Sequence, residues 1–310
     1  MNEIIIKNSA VANVNFQADL LDRFIAYADI KEKSKDTYLR CIKQFFLFLQ
    51  KHGINAPTRD TVIEYREALK EGHKATTIQT YITALKVFFK WLDSEGLYKN
   101  VAEHVKSVNV DRRHKKDSLT ASQAHELITE ISTDTLNGAR DRAILTLMLA
   151  TGLRTIEIER ANIEDLRTVG NNRVLFIQGK GRDDKNEYVI IMPEVDRAIR
   201  EYLYLRGPTD KTDPLFIAIG NRNHNGRIST RTLRGIVKDN LRKCGLDSDR
   251  LTAHSLRHTA ANIALANGTP IREVQQLLRH SNVNTTMIYI DELDRAKNTS
   301  EANIAKAIFY

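Results

Sequence analysis

The chain has 310 residues, 42% of them apolar, enough to build a core in each of two domains, but no run of about 18 apolar residues that could span a bilayer. Its two cysteines, Cys41 and Cys244, match no metal or redox spacing, which excludes a disulfide scaffold and fits a cytoplasmic, reducing setting. A net charge of +8 makes an acidic polymer a reasonable partner, and most of the excess lies in residues 1–116, with 20 Lys/Arg against 14 Asp/Glu.

The first residues, MNEIIIKNSAVANVNF, carry three isoleucines but no signal-peptide core or cleavage site. From Phe16 to about Gly96, apolar residues recur with helical spacing. The spacing predicts a first helix over Asp19–Ile30. A second is capped by Ser34, carries Tyr38, Ile42, Phe45, Phe46 and Leu49, and stops at Gly53. Thr58 is placed to cap a third, with Val62, Tyr65 and Leu69 inward and Gly72 as its stop. The fourth, Thr76–Ser94, is the richest, with Ile78, Tyr81, Ile82, Leu85, Phe88, Phe89, Trp91 and Leu92. Their period assigns the aromatics to a core rather than to base-stacking platforms. Four helices with short loops make a compact helical domain over residues 1–107.

Residues 108–117, VNVDRRHKKD, lose this periodicity and cluster Arg112, Arg113, Lys115 and Lys116. They read as a basic interdomain linker, either simply solvated or tracking a phosphate backbone. Regular structure resumes at Ser118, with helices near Ala121–Ile131 and Gly138–Ala150. The second is strongly apolar and runs into Gly152, which breaks it, and Thr155, which starts another. Arg154 is thereby placed at a junction inside an apolar region. A guanidinium there needs an acceptor: Glu157 in a structural ion pair, backbone carbonyls, or a bound anion. Two β-rich runs, RVLFIQ (173–178) and EYVIIM (187–192), flank GKGRDDKN, a hairpin with Lys180 between two glycines of its turn. The spacing is not that of a P-loop, and a turn lysine by itself is ordinary.

A helix around Val195–Leu205 precedes a basic stretch, Arg222–Lys243. Ser229 is placed to cap a helix with Arg231, Arg234, Lys238 and Arg242 on one side and Ile236, Val237 and Leu241 on the other, a pattern suited to phosphate contacts. Thr252 is placed to cap the next, whose first turn holds His254 and Arg257 on one face, with Leu256, Ala260, Ile263 and Ala264 behind and Asn267-Gly268 at its end. A further helix opens with Pro270 at its first position, buries Ile271, Val274, Leu277 and Leu278, and leads directly into His280. A short segment, Thr285–Leu293, presents Tyr289. Two donors near a helix start, a loop histidine and a phenol suit an anionic, phosphate-like centre.

Arg154 in ATGLRTIEI, Lys180 in QGKGR, His254 and Arg257 in HSLRH, His280 in LLRHSN and Tyr289 in TTMIYI occur in the order and context of the tyrosine recombinases. The chain resembles the compact Xer and integrase-like members of that family over nearly its whole length. The resemblance implies a mainly α fold with a small antiparallel β-sheet: a helical N-terminal core-binding domain (1–107), the basic linker (108–117) and an α+β catalytic domain (118–310). It implies a site-specific DNA recombinase acting on double-stranded DNA at inverted-repeat core sites, in integration and excision or in resolution of dimers or cointegrates. Three positions depart from the pattern. Arg279 stands where glycine is frequent before the histidine, Ile290-Asp291 follow the tyrosine where a small polar residue and histidine are common, and Val101 replaces a frequent proline.

The residue types suit that chemistry. A phosphodiester is anionic and repels nucleophiles, so its non-bridging oxygens must be neutralised as the transition state forms. Arg154 and Arg257 fit because a guanidinium is always charged and offers paired N–H donors, and His280 adds a third hydrogen bond. Tyr289 is the candidate nucleophile. Its ordinary pKa of about 10 leaves it protonated at neutral pH, so its proton needs an acceptor, with His254 as that acceptor or its orienter. The resemblance assigns Lys180 to protonation of the leaving 5′-oxygen. A 3′-phosphotyrosyl bond conserves the energy of the broken linkage, and no carboxylate cluster stands nearby to hold Mg²⁺, so neither a metal nor a nucleotide cofactor is expected. Type IB topoisomerases share this chemistry.

After the polar stretch Asp294–Glu301 the tail shows Ile304, Ala305, Ala307, Ile308, Phe309 and Tyr310. That apolar end either packs on its own domain or, as the resemblance implies, inserts into a neighbouring subunit to give a homotetramer on DNA with only some subunits active at a time. About fifteen residues precede the first helix, too few for an arm-site-binding domain. An accessory protein completes the candidate partners. Two other classes fit less well. A zinc hydrolase could use His254, His258 and His280, but Ser255 stands in place of the glutamate of HExxH. A non-catalytic DNA-binding regulator has no use for Tyr289.

Overall fold

A computed structural model of the chain describes residues 18–27, 32–109, 117–179, 184–220, 223–279 and 299–309. The chain forms two compact units, Met1–Arg112 and Arg113–Tyr310. It is mainly helical with one small antiparallel sheet. None of its described helices is long and apolar enough to cross a membrane.

In the first unit α1 (Ala18–Tyr27), α2 (Glu32–Lys51), α3 (Arg59–Ala68) and α4 (Ala75–Ser94) enclose an aromatic core. Phe24 meets Phe88 edge-on at 5.2 Å, and Phe45 meets Tyr65 at 5.1 Å, geometries that match ring edges to ring faces. The aromatic run of α4 is therefore core, as its period requires. Thr58 caps α3 in a reciprocal pair with Thr61. Gly53, at φ +62°, ends α2. That helix begins two residues before Ser34, the expected cap, because Glu32 and Lys33 are good helix formers and extend it. Beyond α4, Tyr98 donates its hydroxyl proton to the Pro57 carbonyl at 2.8 Å, and Val101, Ala102 and Val105 extend the core.

The second unit is built on α6 (Leu136–Thr151), packed by α8 (Pro193–Arg206) and by α10 (Ala253–Ala266). Around them lie α5 (Ala121–Thr129), α7 (Thr155–Glu159), α9 (Thr230–Lys243) and α11 (Ile271–Leu278). Side-chain caps at Thr120 and Ser229 start α5 and α9, while α10 starts at Thr252, whose backbone N–H donates to Ser255 Oγ at 2.9 Å. Pro270 takes the N-cap position of α11 rather than its first helical position. The sheet has the order β1 (Leu166–Val169), β2 (Asn172–Ile177), β3 (Glu187–Ile190), with Leu175 paired to both Leu166 and Val189. Leu175, Ile177 and Val189 turn inward and join the core. Strand β1 is absent from the expectations, since it is short and mostly exposed and carries no alternation of its own. At the end of the chain α12 (Ser300–Phe309) has no buried residue, with Ile304, Ile308 and Phe309 all exposed.

Candidate active site

The geometry starts from Gly152. It ends α6 in the left-handed region (φ +61°), and its N–H donates to the Met148 carbonyl at 2.9 Å. A Cβ here would meet Leu278 Cδ2 at 2.9 Å, so glycine permits both the conformation and the close approach of α11. Two residues on, Arg154 occupies the N-cap position of α7. The Glu157 carboxylate accepts its backbone N–H at 2.8 Å and its Nη1 at 3.0 Å. Glu157 is fully buried, whereas the Arg154 side chain keeps 28% exposure. The internal partner foreseen for Arg154 is present, and the arginine side chain still reaches solvent.

Arg257, on α10, is buried. Its Nη1 donates to the Gly152 carbonyl and its Nη2 to the carbonyl of Leu278, the last residue of α11. Both acceptors lie at helix C-termini, where the macrodipole favours a cation. They stand two residues before Arg154 and two before His280, so one guanidinium ties the segments leading to both. His254 is exposed in the first turn of α10, with its ring edge-on to the buried His258 at 4.5 Å.

Lys180, His280 and Tyr289 lie outside the described residues, as do Arg112, Arg113, Lys115 and Lys116. The flanks of the Lys180 turn are described. Arg160 donates to the Gly179 carbonyl at 3.2 Å, and Lys185 pairs with the buried Asp165, which also accepts the Asn162 N–H at 2.7 Å. The two ends of that turn are thus tied to the segment following α7.

Three arrangements are missing from the sequence reading. Arg279 caps α11 at φ +53°, and its Nη2 donates to Glu157 at 3.0 Å from a side chain only 9% exposed. A left-handed arginine costs about 1–2 kcal/mol, which the ion pair with a buried carboxylate offsets. Burial pulls its pKa below the ordinary guanidinium value. The Glu157 carboxylate opposes that shift, and the like charge of Arg154 adds to it.

Second, the basic stripe of α9 divides. Arg231 and Arg234 are exposed, with no ion pair among the described residues. Lys238 lies 2.6 Å from Asp247 and donates to the Ser248 carbonyl at 2.7 Å, while Arg242 is 3.2 Å from Asp239 and 3.2 Å from Asp247. Hydrogen bonds from Lys238 and Arg242 hold the Asp247 carboxyl below its usual pKa. Third, a cleft of about 310 Å³ in the first unit is lined by Thr37, Arg40 and Cys41 of α2 and Thr76, Thr77, Thr80 and Tyr81 of α4. Its threonines fall on helical steps, a weak signal beside the strong apolar period of the same helix.

The sequence profile of the Phage integrase family matches residues 117–295, and that of the Phage integrase N-terminal SAM-like domain matches residues 21–96. Tyrosine recombinase XerA of Pyrococcus furiosus is 31% identical over 276 residues, covering 88% of this chain and 89% of that protein. The XerH site-specific recombinase, solved in a post-cleavage complex with its palindromic difH substrate, superposes with a TM-score of 0.72 at 22% identity, over 88% of this chain and 80% of that one. A lambda integrase tetramer bound to a Holliday junction gives 0.66 at 17% identity, over 87% and 76%. Both superpositions show a shared fold.

The glycine at the head of the site provides a direct check. Gly152→Ala is expected to lower stability by about 1–3 kcal/mol, because the methyl both strains φ and presses on Leu278. The urea midpoint reads this, and an unchanged midpoint would mean that α11 does not depend on that contact.

Proposed function

The chain belongs to the phage integrase family, the tyrosine recombinases, and on that footing we propose that it is a site-specific DNA recombinase that cleaves and rejoins strands through a 3′-phosphotyrosyl intermediate. The observation that carries this reading is the double donation of Arg257 to the Gly152 and Leu278 carbonyls, which supports one anion-binding centre drawn from three distant segments.

In the proposed reaction Tyr289 Oη attacks the scissile phosphorus, and the new O–P bond forms as the P–O5′ bond breaks. The phenolic proton passes to His254, or to a base that His254 orients, and Lys180 gives a proton to the leaving 5′-oxygen. Arg154, Arg257 and His280 hold the non-bridging oxygens, whose negative charge grows in the transition state. A 5′-hydroxyl of another strand then attacks the phosphotyrosyl phosphorus and releases Tyr289. The count of phosphodiester bonds is conserved, so the scheme needs neither ATP nor a metal ion. Nicking and resealing in the manner of a type IB topoisomerase would use the same steps without exchange.

The grip on duplex DNA is assigned to the helical domain (1–107), to the linker (108–117) with Arg112, Arg113, Lys115 and Lys116, and to Arg231 and Arg234 of the catalytic domain (118–310). The threonine-lined cleft with Arg40 adds hydroxyl donors and a cation to that set. Lys238 and Arg242 contribute less, because Asp247 and Asp239 already pair with them. The exposed Ile304, Ile308 and Phe309 of α12 support insertion of the tail into a neighbouring subunit, and with it a homotetramer on DNA.

Covalent trapping tests the chemistry. Without divalent metal, the protein is expected to stay attached to nicked fragments carrying its site after denaturation, whereas Tyr289→Phe binds the same DNA and leaves no adduct. Adduct from the phenylalanine variant would refute the assigned nucleophile. Removing residues 301–310 should leave binding to a single site intact while abolishing tetramers on a junction, and normal tetramers would sink the exchange role. Asp247→Asn releases Lys238 while Arg242 keeps Asp239, so log affinity should fall more steeply with log salt, by about one further phosphate contact. A slope equal to that of wild type would place Lys238 away from the backbone.

A further inference from the structure

We propose that Arg279 is a positioning residue of this centre: by sharing the Glu157 carboxylate, it leaves the Arg154 guanidinium with positive charge available to a phosphodiester. The inference rests on the strand-cleavage reading above and adds a residue outside the six. Glu157 is fully buried, and its oxygens serve three donors. Oε2 accepts the Arg154 N–H and Arg279 Nη2, and Oε1 accepts Arg154 Nη1. With Arg154 alone, carboxylate and guanidinium would cancel, and an incoming phosphate would compete with Glu157 for the same cation. A second guanidinium on that carboxylate changes the sum. The cluster becomes two cations on one anion, and the surplus positive charge lies on the arginine that reaches solvent.

The backbone supports the same conclusion. Among the described residues, Asn225 and Arg279 are the non-glycine positions with positive φ. Asparagine tolerates that region, but arginine has no intrinsic reason to adopt it. Its left-handed turn sends the side chain inward to Glu157, a residue 122 positions away. Glu187, at the start of β3, also acts on Arg279 and favours its charged form, while Arg154 disfavours it. Two like charges held this close repel, and binding an anion relieves the repulsion.

The test compares adduct formation by wild type with that by Arg279→Gln and Arg279→Gly. Both variants are expected to slow the rate at saturating DNA on the order of tenfold, with affinity for DNA changed by less than about twofold. Arg279→Lys, which keeps the charge, should recover most of the rate. Adding Glu157→Gln to Arg279→Gln should remove most of the loss, because no carboxylate remains to be offset. A role in folding alone would appear as a loss of folded protein, so rates are compared per folded molecule, and the roughly tenfold loss in Arg279→Gln is expected to persist there. Wild-type rate in Arg279→Gln, or a loss that persists beside Glu157→Gln, overturns the proposal. Calorimetric binding of inorganic vanadate gives an arm independent of cleavage, with Arg279→Gln expected to bind about tenfold more weakly. If wild type forms no adduct, the strand-cleavage reading fails. Equal vanadate affinity in wild type and variant would then overturn the role of Arg279, and weaker binding would uphold it.

Discussion

The Arg257 guanidinium, 1% exposed, sits between the carbonyl ends of α6 and α11, and both ends are turned toward it by a left-handed residue, Gly152 in one case and Arg279 in the other. A buried cation without acceptors would be strongly destabilising, so these two helix ends and the arginine require one another. The partial negative charge that accumulates at a helix C-terminus makes the pairing favourable from both sides. Neighbouring residues inherit their places from this contact. Leu278 rests where a side chain on Gly152 would stand, Arg154 leaves the same turn of backbone, and the chain passes from Arg279 directly toward His280. The fold thus positions Arg154 and Arg257 through main-chain carbonyls, which vary little with side-chain identity.

Net charge is a poor guide to which cations are available. Arg140 is paired with Asp141, Lys185 with Asp165, Arg206 with Asp213 and Lys238 with Asp247. These pairs hold loops and helix ends, and their charges are largely spent within the fold. What remains on α9 is the half nearest its N-terminus, Arg231 and Arg234. In the first unit, hydroxyl groups accompany a single guanidinium in the cleft of α2 and α4. Hydroxyl contacts to phosphate respond weakly to salt, whereas guanidinium–phosphate contacts respond strongly, so the polar groups of the cleft and of α9 differ in kind.

Local signals were legible in the sequence. Thr58, Thr120 and Ser229 cap helices where their spacing places them, Thr252 stands at the N-cap position of α10, and Gly53 and Gly152 stop helices in the left-handed region. The hairpin of β2 and β3 follows from two β-rich runs around a glycine turn. Strand β1 did not follow, since its place depends on pairing with β2 rather than on any pattern of its own. Of the six candidate groups, Arg154, His254 and Arg257 fall where the helix boundaries place them. The ion pair of Arg279 with Glu157 could not be read at all, because nothing in either neighbourhood reports on the other. Asp247 was missed for a related reason. It lies beyond the end of α9 and folds back onto Lys238 and Arg242, which a helical wheel shows only as an unopposed stripe.

The two hydrogen bonds of Arg257 join residues 105 and 21 positions apart. Both contacts need α10, and one also needs the end of α11, so the pair cannot form before those late elements of the chain exist. During synthesis the arginine emerges well after α6, and α11 follows later still. A nascent or C-terminally shortened chain can therefore hold its Arg154 turn and its sheet while lacking a working centre. For a member of this family, this order of assembly ties the arrangement around Arg154 and Arg257 to completion of the domain: it arrives with the last elements and is lost when they loosen.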